Sequence, residues 1–212
     1  MSSTTWVEMG LGLASLLAFA GALWVRPWRG LGLGGPPWPW LACWAVLPIF
    51  WSVDHWAHNA LIQPMSGVPL LLLLAGWPLT MLGLLPVALI LGLWGGLDAL
   101  ECLHRLLWLG ILPAGLSLGL GWVLRRFLPH HLFVYILARA FLGTWVVLSA
   151  VGGLRLWVEG GPATLSSADV MLARGLTASG EAFLTGMVVA IFVAFRPQWL
   201  ATYSDGLYLP VD

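Results

Sequence analysis

The sequence contains no lysine, and charge of either sign is scarce. Only 8% of residues are charged, nine acids against nine arginines, while 60% are hydrophobic. A soluble domain carries about 25% charged residues, so this chain cannot clothe a water-facing surface. A soluble globule and a disordered chain are thereby excluded. The balanced charge leaves no basic excess to hold a polyanion, which excludes a nucleic-acid binder. The 2 cysteines, Cys43 and Cys102, are too few for a disulfide framework and read as small apolar packing residues. No basic segment precedes the first apolar run, and Glu8 stands ahead of it. That start is not a secretory signal, so the first helix is expected to be retained. The chain has no G-x-S-x-G, no H-E-x-x-H and no phosphate-binding glycine loop. With no activated nucleophile in view, no enzymatic activity is expected.

What is present is apolar sequence in long runs. A bilayer core of about 30 Å needs about 20 mostly apolar residues per helix. Lipid also forces backbone amides to pair within the segment. Continuous runs such as 70–74 and 187–195 exclude the alternation of a membrane barrel. Apolar segments fall near 6–25, 37–53, 106–124, 132–154 and 170–195. Residues 68–97 are too long for one comfortable span and carry Pro69, Pro78, Pro86, Gly76 and Gly83. Two short helices meeting near Leu79–Gly83 are predicted there. The sum is an all-α integral membrane bundle of about seven helices, in a single domain covering 1–212.

Arginine placement sets the orientation. Arg26 and Arg29, Arg125 and Arg126, and Arg196 each follow a span, and the positive-inside rule puts them all in the cytoplasm. An outer N-terminus and a cytoplasmic C-terminus satisfy this only if 68–97 turns back on itself. Arg155 then lies outside beside Glu159. Gly30–Pro39 becomes a cytoplasmic loop and Gly160–Asp169 an outer one. Many of the 15 tryptophans (Trp6, Trp24, Trp28, Trp38, Trp40, Trp157, Trp199) sit near span ends, where an amphipathic ring suits the headgroup layer.

Ionisable residues inside a membrane are functional candidates by default. Asp54, His55 and His58 lie at the outer end of the second span, with the two histidines on one helical face. Asp98, Glu101 and His104 repeat that spacing on the same side of the membrane. Two acid-and-imidazole patches can converge on one divalent transition metal, making Asp54, His55, His58, Glu101 and His104 the candidate ligands. The competing reading is an interfacial loop plus a local Glu101–Arg105 pair. Glu181 stands in the last span with Arg174 two turns earlier, and Arg139 stands in the sixth. These three are read either as a structural Glu–Arg pair or as charges lining a path. His130 and His131 are expected in a turn facing water or a partner.

The blocks Leu128-Pro129-His130-His131-Leu132-Phe133-Val134-Tyr135-Ile136, Ala140-Phe141-Leu142-Gly143, Glu181-Ala182-Phe183-Leu184-Thr185-Gly186-Met187, Phe195-Arg196-Pro197-Gln198-Trp199, and Thr202-Tyr203-Ser204-Asp205 with Tyr208-Leu209 together resemble membrane proteins identified as energy-coupling-factor permeases, similar to the cobalt/nickel subunits of the CbiM and NikM type. The resemblance covers roughly 125–209. It implies a substrate-binding subunit of about seven spans in a bacterial-type inner membrane, taking a divalent metal (cobalt, nickel or similar) from outside. A scaffold subunit and paired ATPases would be its partners. Classical members begin Met-His-Ile and use that start as ligands, whereas this chain begins Met1-Ser2-Ser3-Thr4 and has Arg139 where an Asn is implied. The outer histidines are the candidate replacements. The alternative function is a non-catalytic accessory subunit of a respiratory, photosynthetic or oxygenase complex, favoured by the tryptophans and by 26 glycines that permit close helix contact.

Overall fold

The computed structural model describes residues 3–25, 38–57, 62–129, 131–162, 165–204 and 208. The described residues are helical throughout, with no strand among them. Helix α1 spans Ser3–Trp24 and α2 Trp38–Ala57. A short α3, Val68–Ala75, leads into α4, Trp77–Trp94. Helix α5 (Ala99–Arg105), a π-helical turn π1 (Leu106–Ile111) and α6 (Leu112–Phe127) run on as one 29-residue rod. A second π-helical stretch, π2 (Val134–Leu142), continues into α7 (Gly143–Glu159), and α8 spans Ser167–Phe195. Among the described residues 4 helices are long and apolar enough to cross a membrane: Trp77–Trp94, Ala99–Phe127, Val134–Glu159 and Ser167–Phe195. That, with the chain's composition, fits a helical membrane protein.

The surface is dressed for lipid. Leu16, Leu89, Leu93, Leu172, Leu176 and Phe183 stand exposed on helix after helix, a distribution that water would penalise and hydrocarbon does not. Trp24 and Trp157 are exposed at helix ends, where an aromatic belt was expected. The core is built on the leucine-rich α3, whose Leu71, Leu72, Leu73 and Leu74 are all buried together with Trp51, Met81, Leu84 and Leu91.

The leucine-rich stretch breaks, but earlier than the sequence suggested. The break falls at Gly76 rather than at Leu79–Gly83. Gly76 takes φ 78, a left-handed value that L side chains avoid. Pro78 follows within the first turn of α4, where its missing N–H has no partner to lose. Thr80 Oγ1 then donates to the Gly76 carbonyl at 2.8 Å and closes the break. Gly83 and Pro86 instead stay inside α4. At the far end of α4, Gly95 lies against Ser52 of α2. The C-terminal ends of α2 and α4 therefore share one end of the bundle, as a chain that turns back requires.

Helix α3 is too short to cross a bilayer, since eight residues rise only about 12 Å. It is a half-helix, and both of its ends are satisfied by α8 and the segment after it. Ala201 N and Thr202 N donate to the carbonyls of Leu74 and Leu73. The opposite end meets Glu181, described below. Arg125 Nη2 donates to the Thr202 carbonyl, which places the end of α6 beside the segment that follows α8. Arg125, Arg126 and Arg196 thus gather toward one end of the bundle. The Gly30–Pro39 loop, apart from its last two positions, along with His58 and His130, lies outside the described residues. The loop expected over 160–169 ends sooner: Ser166 caps α8, accepting from Asp169 N, so Asp169 is already in the first turn.

Candidate functional site

Two polar centres lie within or against the bundle, and the sequence pointed at residues in both. The first occupies the end where α2, α5 and α7 meet. Asp98 opens α5 as its N-cap and accepts from Glu101 N at 2.7 Å. The helix then presents Glu101 and Arg105 one turn apart. Arg105 is buried, and its guanidinium fans out over the acceptors around it. Nη1 donates to Asp54 Oδ1 at 2.6 Å and to the Trp51 carbonyl, and Nη2 to Asp54 Oδ2 at 3.1 Å and to Glu101 Oε1 at 2.8 Å. His104 Nδ1 lies 3.2 Å from Glu159 Oε1, and Arg155 Nε donates to Glu159 Oε2 at 2.8 Å. An open cleft of about 270 Å³ is lined by Asp54, Glu101, His104, Arg105 and Arg155.

The structure therefore brings Asp54, Glu101 and His104 to one cleft, as the two-patch reading requires. The cation between the two carboxylates is Arg105. The local Glu101–Arg105 pair forms and is extended by Asp54 from α2. His55 is exposed, lies near Gly96 and is not among the residues lining this cleft. His58 is outside the described residues. Among the described residues no group of three or more His, Cys, Asp and Glu is arranged to hold a metal ion. Cys102 is buried, with its sulfur toward the Leu97 carbonyl.

The second centre lies deep in the bundle. Glu181 stands at the middle of α8 and is 3% exposed. No arginine pairs with it among the described residues. Its two carboxylate oxygens instead accept from backbone: Oε2 from Ser66 N and Oε1 from Gly67 N, both at 2.7 Å. These are orphan donors at the start of α3, where the helix dipole favours a negative charge. Gly67 takes φ 66, a left-handed conformation, and a Cβ there would run into Leu47. Ser66 Oγ donates to the Leu109 carbonyl at 2.6 Å. Leu109 sits in π1, and such a widened turn frees carbonyls from the helix ladder.

Beside Glu181 is a cavity of about 60 Å³, room for a few water-sized groups. Gln63, Ser66, Trp108, Arg174, Thr177 and Glu181 are among its lining residues. Trp108 is 5% exposed and its indole N–H makes no hydrogen bond. Arg174 donates to the Gly152 carbonyl at 2.6 Å and approaches Gln63 Oε1 at 3.4 Å. Of the intramembrane charges the sequence singled out, Glu181 and Arg174 share this cavity and Arg139 does not. Gln63, Ser66 and Trp108 were missed. A signal was available in Gly67-Val68-Pro69, a glycine ahead of an early proline, which marks a helix start inside an apolar run.

The blocks behind the family resemblance lie against one another. Tyr135 packs on Tyr203 and Tyr208 with ring centroids 5.0 Å away in each case, and its hydroxyl meets Thr202 Oγ1 at 2.8 Å. Gly186 packs on Phe141 so closely that a Cβ there would meet the Phe141 Cβ at 3.0 Å. No family model, no curated protein and no solved structure matches the chain.

Proposed function

We propose that this chain is the solute-capturing membrane subunit of an uptake transporter of the energy-coupling-factor kind. A scaffold subunit and paired ATPases supply the energy, and the chain itself performs no chemistry. The observation that carries the reading is the cavity beside Glu181, at the N-terminus of a half-helix. Transport sites are commonly built where a broken helix ends near mid-membrane, because its free backbone groups and dipole can meet a solute there. In this reading the Asp54–Glu101 end faces outside and the Arg125, Arg126 and Arg196 end faces the cytoplasm of a bacterial-type inner membrane.

The cavity also narrows the cargo. Arg174 and the Trp108 N–H are donors, and donors repel a bare cation. A small polar solute with acceptor oxygens suits them better than cobalt or nickel does. The Asp54–Glu101 pair holds Arg105, which leaves it poorly placed to take a divalent metal as well.

The test is purification of the affinity-tagged chain from its native membranes. Co-migrating scaffold and ATPase chains are expected. Recovery of the chain alone, or with large respiratory, photosynthetic or oxygenase subunits, would overturn the reading; the latter would favour an accessory subunit. Stoichiometric cobalt or nickel in the purified complex would return the cargo to a metal. Filling the cavity by Ala178→Leu should abolish uptake and leave complex assembly intact.

A further inference from the structure

The end of the bundle opposite Arg105 holds a half-buried cation that no described residue neutralises. Arg139 lies in π2, two turns inside the helix that begins near residue 132. Its Nε and Nη1 are shut off from solvent and make no hydrogen bond. Its charged and polar neighbours are Tyr135, Tyr208 and Arg125, with a hydrogen bond to Tyr208. Tyr135 offers its ring face 5.7 Å from Arg139 Cζ. None of these is an anion at neutral pH, and Arg139 makes no ion pair with any described residue. The guanidinium lies flat on α6, where a Cβ on Gly121 would meet Nη2 at 3.0 Å. Ser117 Oγ, on the same stretch of α6, is likewise buried without a partner.

Two chambers of about 10 Å³ each abut Arg139, one against Ser117 and Thr144, the other against Arg125, Tyr135 and Tyr208. Each has room for about one water-sized group. The second chamber joins Arg139 at its floor to the exposed Arg125 at its rim. A buried guanidinium left unpaired is strongly unfavourable, and water alone does not cancel its charge. The fork geometry of arginine matches the oxygens of a phosphate.

We infer that the notch between α6 and π2, formed by Arg139 and Arg125, binds the phosphate of an anionic phospholipid headgroup. One phosphate oxygen enters the Arg139 chamber and the remainder stays at Arg125. A lipid is favoured over free phosphate because Leu124, Leu128 and Val134 line the same chamber. Phe127 and Leu128 are exposed beside it, an apolar rim for the glycerol and acyl chains. Arg139 lies about 10 Å inside the helix end, within reach of the headgroup layer for a long side chain. Basic pockets between membrane helices on the arginine-rich side recognise anionic headgroups in this way.

The experiment compares the full chain in phosphatidylcholine vesicles with the full chain in an equimolar phosphatidylcholine and phosphatidylglycerol mixture. Native mass spectrometry then counts the lipid retained after extraction. One phosphatidylglycerol per chain is expected to survive, with a higher melting temperature than in phosphatidylcholine alone. Arg139→Gln should lower retention about tenfold, the loss of one charge-assisted pair. Arg125→Ala, which leaves the half-buried cation in place, should lower it less. Equal retention by wild type and Arg139→Gln would overturn the assignment. So would absence of any preference for phosphatidylglycerol in the wild type, a readout that does not depend on the variant folding. Inorganic phosphate in phosphatidylcholine alone is the remaining arm. If it stabilises the chain equally and displaces phosphatidylglycerol, the ligand is soluble phosphate and the lipid assignment fails.

Discussion

Arg105 borders one π-helical widening and Arg139 lies within the other, and the fold treats them in opposite ways. Arg105 uses four of its donor hydrogens on two carboxylates and a backbone carbonyl. Arg139 has a tyrosine hydroxyl, a ring face and two idle nitrogens. At the first end Nε alone is idle and the charge is answered by two carboxylates, so the end is a structural joint. At the second the described residues supply only half of an interaction, which is how a ligand site differs from a joint. Glu181 stands between them, a charge answered by backbone alone. The comparison predicts an order of effects on unfolding free energy, read from tryptophan fluorescence in zwitterionic micelles.

The largest loss should follow Glu181→Ala. It strips two buried N–H groups of their acceptor at the start of α3. At 1–3 kcal/mol for each unsatisfied donor, and allowing for water entering the adjacent cavity, the loss should be about 3–4 kcal/mol. A loss below about 1 kcal/mol would mean that α3 does not depend on this cap.

Arg105→Met comes next. It removes a donor from the Trp51 carbonyl and sets Asp54 against Glu101. The carboxylates are partly solvated, at 28% and 40% side-chain exposure, so the penalty for a broken buried pair must be discounted. About 2–3 kcal/mol is expected. Much of it should return in the triple variant that also carries Asp54→Asn and Glu101→Gln. Without that recovery, Arg105 would not be the counter-ion of both acids.

How far these sites could be read from sequence depends on where their partners come from. The helices were legible because long apolar runs admit little else, and the pairing of Glu101 with Arg105 because helical spacing fixes it. Asp54 reaches the same arginine through tertiary packing, which spacing cannot show. The break at Gly76 lost to Leu79–Gly83 because five breakers lie between 69 and 86. Gly76 is followed by a proline two residues on, at the second position of the new helix, whereas Pro86 comes three after Gly83. The partner of Glu181 was invisible for a deeper reason. A search for countercharges looks at side chains, and the donors here are the backbone of Ser66 and Gly67. The π-helical turns have no residue signature at all, so neither the Leu109 carbonyl nor the setting of Arg139 could be anticipated.

Arg155→Ala tests the exposed limit. Arg155 pairs with Glu159 one turn along α7, with 30% and 24% side-chain exposure. Pairs of this kind contribute about 0.3–0.5 kcal/mol. Glu159 also keeps its contact with His104, so the link from α5 to α7 survives. A loss above about 1 kcal/mol would show that the cleft is held as one network rather than as separate pairs.

Arg139→Met is the variant whose expected change centres on zero, and its sign matters more than its size. In zwitterionic micelles, free of anionic lipid, the wild type carries the cost of a half-buried guanidinium with two idle nitrogens. Methionine has a comparable stem, fills the space over Gly121 and brings no charge, although it forfeits the Tyr208 hydrogen bond and the ring contact. Those losses and the relief of desolvation oppose each other, and the net change should lie within about 1 kcal/mol of zero, on either side. The same substitution at Arg105 is expected to be clearly destabilising, so the two variants measured together separate a satisfied cation from an unsatisfied one. If Arg139→Met destabilised the micellar protein as much as Arg105→Met, Arg139 would already have its counter-charge within the chain. The two ends of the bundle would then differ only in how that charge is supplied.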